Sequence, residues 1–232
     1  MIDYSKTLDE IRKNLCIECV GSLDAPELIG AADAAVRVKV PSVSVAPEYV
    51  HMMWSWLEKT DIDIYAKIED KAISAGRNAN MAAEKINSAF KNGADGIQIC
   101  ARKGDVHAMV SALFPVVGDL FFGKKLFIGL NIAEADYFDW EEIFYQLNKV
   151  SANGILLESN SPRAKSKETD DVVGRVYGLL DSLPKEFSGQ LQFSGFDING
   201  IEAAWRLCQK MRPNNLGQLR FFVKPDGNLL ND

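Results

Sequence analysis

Short apolar runs alternate with amphipathic stretches along most of the chain. The clearest case is the segment 80–102, in which apolar residues recur at the spacing of one helix face, namely Ala82, Ile86, Ala89 and Phe90. Asn92 and Gly93 then form a pair typical of a left-handed helix end. Residues 96–100 are too few and too apolar for another helix and predict a buried strand. One helix followed at once by one strand indicates a β/α alternation.

The same alternation recurs from end to end. Strands are predicted at 15–20, 42–46, 63–68, 96–100, 126–131, 154–158, 191–196 and 219–223. Helices are predicted at 24–38, 47–58, 80–92, 106–116, 140–150, 172–183 and 201–211. The sequence AlaAspGlyIle at 94–97 is echoed by AlaAsnGlyIle at 152–155. Eight strands with helices between them predict an α/β fold, a closed parallel (β/α)8 TIM barrel, in one domain over residues 1–232.

The two ends of the chain depart from the regular pattern. Thr7 and Glu10 have the spacing of a capping box, so a short N-terminal helix is expected before the first strand. After Val223 the chain has no room for a full amphipathic helix, and the eighth helix is therefore predicted to be missing or reduced. A parallel barrel needs its outer face covered. The N-terminal helix, with Leu8 and Ile11 as its main apolar residues, is one candidate to cover the seam over the last and first strands, but it is short and covers the seam only partly. We therefore predict a homo-oligomer, most simply a two-fold dimer, that shields the rest.

Charge and composition narrow the class of partner. The net charge of -6 disfavours a nucleic-acid partner, which needs clustered Lys and Arg. No run approaches the roughly 18 apolar residues of a membrane span, and the polar N-terminal stretch opens a helix rather than a signal peptide. We therefore expect a cytoplasmic protein that binds a small molecule, with no nucleic-acid and no membrane partner.

Cys16 and Cys19 have the spacing of a redox or metal motif. They lie on a predicted strand, where residues three apart point to opposite faces. The pattern favours buried small hydrophobic residues over metal or redox use. No metal and no cofactor is predicted.

Three stretches resemble the deoxyribose-phosphate aldolase family. They are ELIGAADAAVRVKVPSVSVAPEYVHMMWSWLEKTDIDIYAKI at the second and third strands, AFKNGADGIQI at the fourth strand, and FSGFDINGIEAA at the seventh. The resemblance covers roughly residues 24–210 and implies an aldolase-type barrel. It also implies Schiff-base chemistry, with one lysine on strand 6, a second on strand 7 and an aspartate on strand 4.

Residue by residue, the positions that match this chemistry carry other side chains. The aspartate falls on Gln98, the strand 6 lysine on about Leu156, and the strand 7 lysine on about Gln192. An imine needs a primary amine, and glutamine does not transfer protons near neutral pH. The glycine pair that would hold phosphate is altered to Gly195 and Phe196.

Other polar residues sit at the carboxyl ends of the predicted strands, where TIM-barrel active sites are built. They are Glu18, Lys67, Gln98, Arg102, Asn131, Glu158, Gln192, Ser194 and Lys224. Period-two geometry places Gln98, Cys100 and Arg102 toward the lumen, with Leu156 and Glu158 from strand 6 and Gln192 and Ser194 from strand 7. Arg102 and Glu158 are expected either to fix a polar ligand or to neutralise each other.

Lys67 and Glu158 are the predicted catalytic residues, and Gln98, Arg102, Asn131, Gln192 and Ser194 the predicted substrate-binding residues. Lys67 admits two interpretations, a relocated Schiff-base nucleophile or a salt-bridged lysine. The long loops 69–79 and 159–171, the second with Arg163, Lys165 and Lys167, either close over an anionic ligand or are solvated surface.

Two functions therefore remain open. The first is an aldolase-like lyase or isomerase that acts on a small phosphorylated or carboxylated metabolite. The alternative is a non-catalytic relative that keeps the barrel as a ligand-binding or assembly module.

Overall fold

Eight parallel strands close into a barrel in the order of the sequence, in a computed structural model that describes residues 4–19, 21, 23–159 and 168–225. The strands are β1 (Leu15–Cys19), β2 (Ser42–Val45), β3 (Asp63–Ile68), β4 (Gly96–Ala101), β5 (Lys125–Asn131), β6 (Gly154–Glu158), β7 (Gln190–Ser194) and β8 (Leu219–Val223). β1 pairs with β8, with Leu15 opposite Phe221, and this pairing completes the ring. The predicted (β/α)8 TIM barrel is confirmed.

Helices fill the connections. They are α1 (Tyr4–Arg12), α2 (Ala25–Val38), α3 (Val50–Leu57), α4 (Lys71–Ser74), α5 (Ala79–Lys91), α6 (Val106–Ala112), α7 (Phe114–Val117), α8 (Trp140–Lys149), α9 (Glu168–Ser182) and α10 (Ile198–Met211). The short N-terminal helix is confirmed as α1. Between β8 and Pro225, where the described part of the chain ends, no eighth helix begins.

Two helical predictions need correction. The helix predicted at 106–116 is divided into α6 and α7, because Pro115 has no N–H to donate and crowds the preceding turn. The loop 69–79 contains α4, whose start is capped by Asp70, the acceptor of a bond from the backbone N–H of Ile73.

Alternation along each strand separates two apolar regions. Outward-facing aliphatic residues join the helices in one large cluster, whereas a small cluster fills the lumen with Cys16, Tyr65, Phe127, Leu156 and Phe222. Cys16 therefore points inward and Cys19 outward, as the strand geometry predicted. All four cysteines are free. The lumen is a packed interior and not a pore.

The repeated AlaAsp/AsnGlyIle sequence performs the same structural task twice. Asp95 accepts a hydrogen bond of 2.9 Å from the backbone N–H of Ile64, and Asn153 accepts one of 2.7 Å from Leu126. Each side chain thus ties the start of one strand to the start of the preceding strand. The residues that follow are Gly96 and Gly154. A Cβ atom at either position would clash with the next strand, so both positions require glycine.

The seam between β8 and β1 is covered within one chain, which corrects the basis of the oligomer prediction. Ile17 and Phe221 are fully buried. The Phe221 ring lies 5.3 Å from the ring of Phe193 and 6.4 Å from that of Trp205 on α10. Ile11 of α1 is buried in the same outer cluster. The outer face of the junction between β8 and β1, which the sequence pattern left uncovered, is therefore buried within one chain.

Within the described ranges, no single helix is both long and apolar enough to cross a bilayer. Only the bent pair Lys103–Ala112 and Phe114–Phe121, which turns by 46°, meets the length and composition criteria together.

Candidate functional site

One buried ammonium group lies among carboxylates at the carboxyl ends of the strands. Lys67 of β3 is 2.6 Å from Glu158 of β6 and 2.8 Å from Glu18 of β1, measured from Nζ to the nearest carboxylate oxygen. A third carboxylate, that of the exposed Glu69, is 3.1 Å away. The side chain of Lys67 is 1% exposed. We call Lys67, Glu18, Glu69 and Glu158 the mouth cluster.

The mouth cluster keeps Lys67 charged. Burial alone would lower the pKa of Lys67, but the carboxylates of Glu18 and Glu158 outweigh it and raise the pKa above the ordinary 10.5. A protonated amine has no lone pair to attack a carbonyl carbon. Of the two interpretations of Lys67 that the sequence left open, the geometry favours the salt-bridged lysine.

The two carboxylates beside Lys67 have different second partners. The Ser194 hydroxyl lies 2.7 and 2.8 Å from the two oxygens of Glu18 and donates to that carboxylate. Glu158 instead bonds the thiol of Cys100, whose pKa is raised well above its ordinary value, chiefly by burial. Glu18 is thereby fixed by a strong donor, whereas Glu158 has a weak one.

Below the mouth cluster, a chain of hydrogen bonds crosses the lumen. Ser44 donates to Gln98 at 2.6 Å, Gln98 donates to Gln192 at 2.7 Å, and Gln192 donates to Gln190 at 3.1 Å. Gln98 and Gln192 are fully buried. Both predicted substrate-binding glutamines therefore point into the lumen as expected, and their amide groups bond each other.

Arg102 and Asn131 do not join this network. β4 ends at Ala101, so strand alternation no longer applies to Arg102, whose side chain is exposed rather than in the lumen. The cation beside Glu158 is Lys67. Asn131 accepts a bond of 2.9 Å from the backbone N–H of Ala133 and caps the helical turn that follows β5. The prediction that Arg102 and Glu158 share the lumen is wrong.

A cavity of about 620 Å³ opens beside the mouth cluster, between the ends of β2 and β3, the helical turn Pro47–Tyr49 and the helix α5. Its lining includes Lys67, Glu69, Tyr49, Glu48, Asp70 and Lys85. Lys85 is paired with Asp70 at 2.8 Å. Lys224 is exposed beyond β8, and the basic residues Arg163, Lys165 and Lys167 lie outside the described residues. Carboxylates outnumber ammonium groups around this cavity.

Glu69, Cys100 and Glu158 bring potential metal-ligand atoms within 4.8 Å of one another. Two of these three side chains already bond the Lys67 ammonium. The Lys67 ammonium already supplies the positive charge that balances these carboxylates. The three side chains therefore fit an ion-pair cluster around Lys67 rather than a metal site.

Comparison with solved structures gives the same architecture. A candidate deoxyribose-phosphate aldolase from Toxoplasma gondii ME49 superposes with a TM-score of 0.73 at 14% identity, over 97% of this chain and 92% of that chain. The deoxyribose phosphate aldolase of Aeropyrum pernix, described as a tetramer, gives 0.70 at 11% identity, over 99% and 97%. The fold is that of the deoxyribose-phosphate aldolases. The predicted resemblance is confirmed at this level.

A third structure, an aldolase called QR15, gives a TM-score of 0.64 at 13% identity over 95% of this chain and 92% of that chain. The sequence matches no protein-family model and no curated protein. At these identities the comparisons establish the fold, and the chemistry has to be argued from this chain's own residues.

Sequence reasoning placed Lys67, Glu158 and Ser194 correctly in the mouth but did not select Glu18 and Glu69 as site residues. A signal existed for Glu18, which follows the inward-facing Cys16 by two residues on the same strand, so period-two alternation puts it on the lumen side. Glu69 lies one residue past the end of β3, where alternation no longer applies, and no signal in the sequence indicated it.

Proposed function

We propose that this chain is an aldolase-like lyase or isomerase that acts on a small carbonyl metabolite through an enolate rather than an imine. The observation that carries the proposal is the Lys67 ammonium, held 2.6 Å from Glu158 and 2.8 Å from Glu18 at the barrel mouth. An ammonium group fixed in a poorly solvated site can stabilise a developing oxyanion. A carboxylate beside it can accept and return a proton.

The proposed roles follow from the contacts of each side chain. Glu158 removes the proton of a hydroxyl group two carbons from the carbonyl. The alkoxide becomes the carbonyl group of the departing fragment as the bond breaks between its carbon and the carbon next to the original carbonyl. The electron pair of that bond moves onto the original carbonyl oxygen, where the Lys67 ammonium stabilises the negative charge. The enolate carbon then takes the proton from Glu158. Glu18, fixed by Ser194, holds Lys67 in place, and in an isomerisation Glu158 instead removes the proton from carbon.

The charge around the cavity bears on the expected substrate, a small phosphorylated or carboxylated metabolite. Glu48, Glu69 and Asp70 face the same cavity as Lys67 and Lys85. These acids repel a dianionic phosphate more strongly than a singly charged carboxylate. Within the proposed class, a carboxylated substrate is therefore favoured over a phosphorylated one.

The experiment is a turnover and exchange assay in D₂O on a panel of small hydroxy-carbonyl compounds and keto acids, followed by NMR. We expect α-carbon deuteration or cleavage by the wild type, and a loss of at least about 100-fold in Glu158→Gln. The matched control is Lys125→Met, which removes a 2.6 Å ion pair with Asp63 at the opposite end of the barrel and should keep the activity.

Borohydride trapping on the same panel separates the enolate from the imine mechanism. We expect no adduct on Lys67 or Lys224, because the carboxylates keep Lys67 protonated. A borohydride-stable mass adduct on Lys67 would replace the proposed mechanism with Schiff-base chemistry.

A non-catalytic barrel is the second candidate function. It is favoured by one observation: the three positions that match the family's catalytic residues are occupied by Gln98, Leu156 and Gln192, all buried in the lumen and engaged with neighbours. If the wild type and Glu158→Gln deuterated or cleaved the whole panel at the same background rate, this candidate would be the correct one.

The cytoplasmic location and the homo-oligomer also stay proposals. Four free cysteines suit a reducing compartment. The homo-oligomer no longer rests on the β8–β1 seam, and the tetramer described for the Aeropyrum pernix protein supports it by analogy alone.

A further inference from the structure

Three carboxylates surround the ammonium group of Lys67, which itself carries three N–H bonds. Nζ lies 2.6 Å from Glu158 and 2.8 Å from Glu18, measured to the nearest carboxylate oxygen. The third carboxylate, that of Glu69, is 3.1 Å away. One carboxylate is thus available for each N–H bond. A ligand oxygen can therefore reach the ammonium group only where one of the three carboxylates moves away from it.

Two of the carboxylates are held in place. The side chains of Glu18 and Glu158 are each 9% exposed. Ser194 donates to both oxygens of Glu18, and the thiol of Cys100 bonds Glu158. A buried carboxylate that loses its cation is left uncompensated, which is costly. Neither of these two side chains is suited to give way to a ligand.

Glu69 is held by much less. Its side chain is 53% exposed, and its distance to Nζ is the longest of the three. Within the described part of the chain, its carboxylate makes no ion pair or hydrogen bond other than the contact with Lys67. Water solvates a half-exposed carboxylate once it is released, so such an ion pair contributes little. Glu69 is therefore the carboxylate that can leave Lys67 at low cost.

The cavity beside the mouth cluster reaches Lys67 on the side of Glu69. Among the described residues that line this cavity, Lys67 and Glu69 are present, whereas Glu18 and Glu158 are not. The N–H bond directed toward the cavity is therefore the one next to Glu69. A ligand in the cavity meets Lys67 at the position that the Glu69 carboxylate occupies.

We propose that Glu69 is an internal competitor for the ligand oxygen that binds Lys67. Its carboxylate occupies the position of that oxygen and turns into solvent when a ligand takes its place. Neutral oxygens attract an ammonium group less strongly than a carboxylate does, so the competition selects small ligands with a charged oxygen, such as keto acids. Glu69 is thus a specificity-determining residue. The inference rests on the proposed function in one respect, namely that Lys67 binds the substrate oxygen.

The test uses pyruvate as the probe and measures its dissociation constant for the full chain by NMR titration of ¹³C-labelled pyruvate. We expect Glu69→Gln to bind pyruvate about threefold more tightly than the wild type, because the competing charge is removed. Circular dichroism establishes that each variant is folded.

The matched control is Glu48→Gln, the same substitution on the wall of the same cavity. Glu48 is exposed and, within the described residues, is not an ion-pair partner of Lys67. The control thus measures how much of any gain is general repulsion between acids and an anion. We expect its dissociation constant to stay within about 1.5-fold of the wild type, because solvent and salt screen an exposed charge.

A crystal structure of the pyruvate complex is the second measurement. A ligand oxygen should lie at hydrogen-bond distance from Nζ of Lys67, with the Glu69 carboxylate turned outward. The proposal is overturned by a Glu69 that keeps its contact with Lys67 in the complex, by equal affinities of wild type and Glu69→Gln, or by an equal gain in Glu48→Gln. Failure of pyruvate to bind either protein would also overturn it.

Binding is measured without turnover, so the two proposals can fail separately. A wild type that binds pyruvate by displacing Glu69, yet converts no compound of the substrate panel, would contradict the proposed function and support the competition by Glu69.

Discussion

Lys67 shows how a charged side chain is accommodated at a buried position. Moving an ammonium group out of water is costly, and only close, well-oriented carboxylates offset that cost. Glu18 and Glu158 meet this condition, and the Ser194 hydroxyl donates to the remaining oxygen of Glu18. Removing one member of such a group leaves the others buried and unpaired, which costs more than the intact group contributes.

We therefore expect Lys67→Met to destabilise the protein by about 3–5 kcal/mol, measured as the free energy of unfolding in urea. Because the folded pKa of Lys67 is raised, its stabilising contribution is fully present below the ordinary 10.5 and is lost only as the pH rises through the higher folded value. The deficit should thus stay constant from neutral pH to near 10.5.

The matched control for that measurement is Lys125→Met. The side chains of its ion pair with Asp63 are 40% and 32% exposed, and an exposed pair contributes at most about 1 kcal/mol. Equal losses in the two variants would contradict the stabilising role assigned to the mouth cluster.

At this scale the sequence predicts which way a side chain points but not which partner it meets. Strand alternation correctly turned Gln98, Glu158 and Ser194 into the lumen. The pairing of Lys67 with Glu18 joins residues from different strands, and their separation is set by the closure of the barrel. Arg102 was misplaced because alternation was continued one residue past the end of β4.

At the scale of the elements, one amide side chain joins the start of β6 to the start of β5. Asn153 accepts a hydrogen bond from the backbone N–H of Leu126, and Asp95 does the same for Ile64 two βα units earlier. Such bonds satisfy buried backbone donors that would otherwise be left without a partner. The echo in the sequence was visible beforehand, but its structural task was not, because the bonded strands are distant in sequence.

We expect Asn153→Ala to destabilise the fold by about 1–3 kcal/mol, because it removes the acceptor from a buried N–H. Asn153→Asp is the control that the chain itself suggests, since Asp95 performs this task with a carboxylate. Urea denaturation should show a clear loss for the alanine variant and a smaller one for the aspartate variant. The reverse order would refute the common role of the two repeats.

At the scale of the whole molecule, the hydrogen bonds from Ser44 through Gln98 to Gln192 join β2, β4 and β7 across the lumen. Each amide in this chain is both donor and acceptor, so the loss of one glutamine leaves its neighbours unsatisfied. The bonds link strands that are not adjacent in the sheet and so brace the ring from inside.

We expect Gln98→Met and Gln192→Met each to cost about 1–3 kcal/mol, with the double variant losing less than the sum by at least about 0.5 kcal/mol. A thermodynamic cycle from urea unfolding measures this coupling. Gln98→Met combined with Glu202→Gln, on the outer helix α10, is the control and should be additive. Additivity in both cycles would exclude a coupled network.

The sequence predicted the barrel from its repeated β/α pattern, yet it misjudged how the barrel is sealed. The short tail suggested an open groove over β8, because helix counting takes no account of side-chain size. Phe221 on β8 and Ile17 on β1 are nevertheless fully buried within one chain, and the rings of Trp205 and Phe193 pack beside Phe221. The burial of the outer face over β8 thus depends on packing between residues of different elements, which the sequence pattern does not show.

The pairing of Leu15 with Phe221 also bears on synthesis of the protein. β1 leaves the ribosome before the other seven strands of the barrel, and β8 leaves after them. Contacts this distant in sequence form late, because the entropy cost of ordering nearly the entire chain must be met before the contact can form. A nascent chain therefore carries an unpaired edge on β1 until the strand at Leu219–Val223 has emerged, and throughout that interval the edge is open to association with other chains.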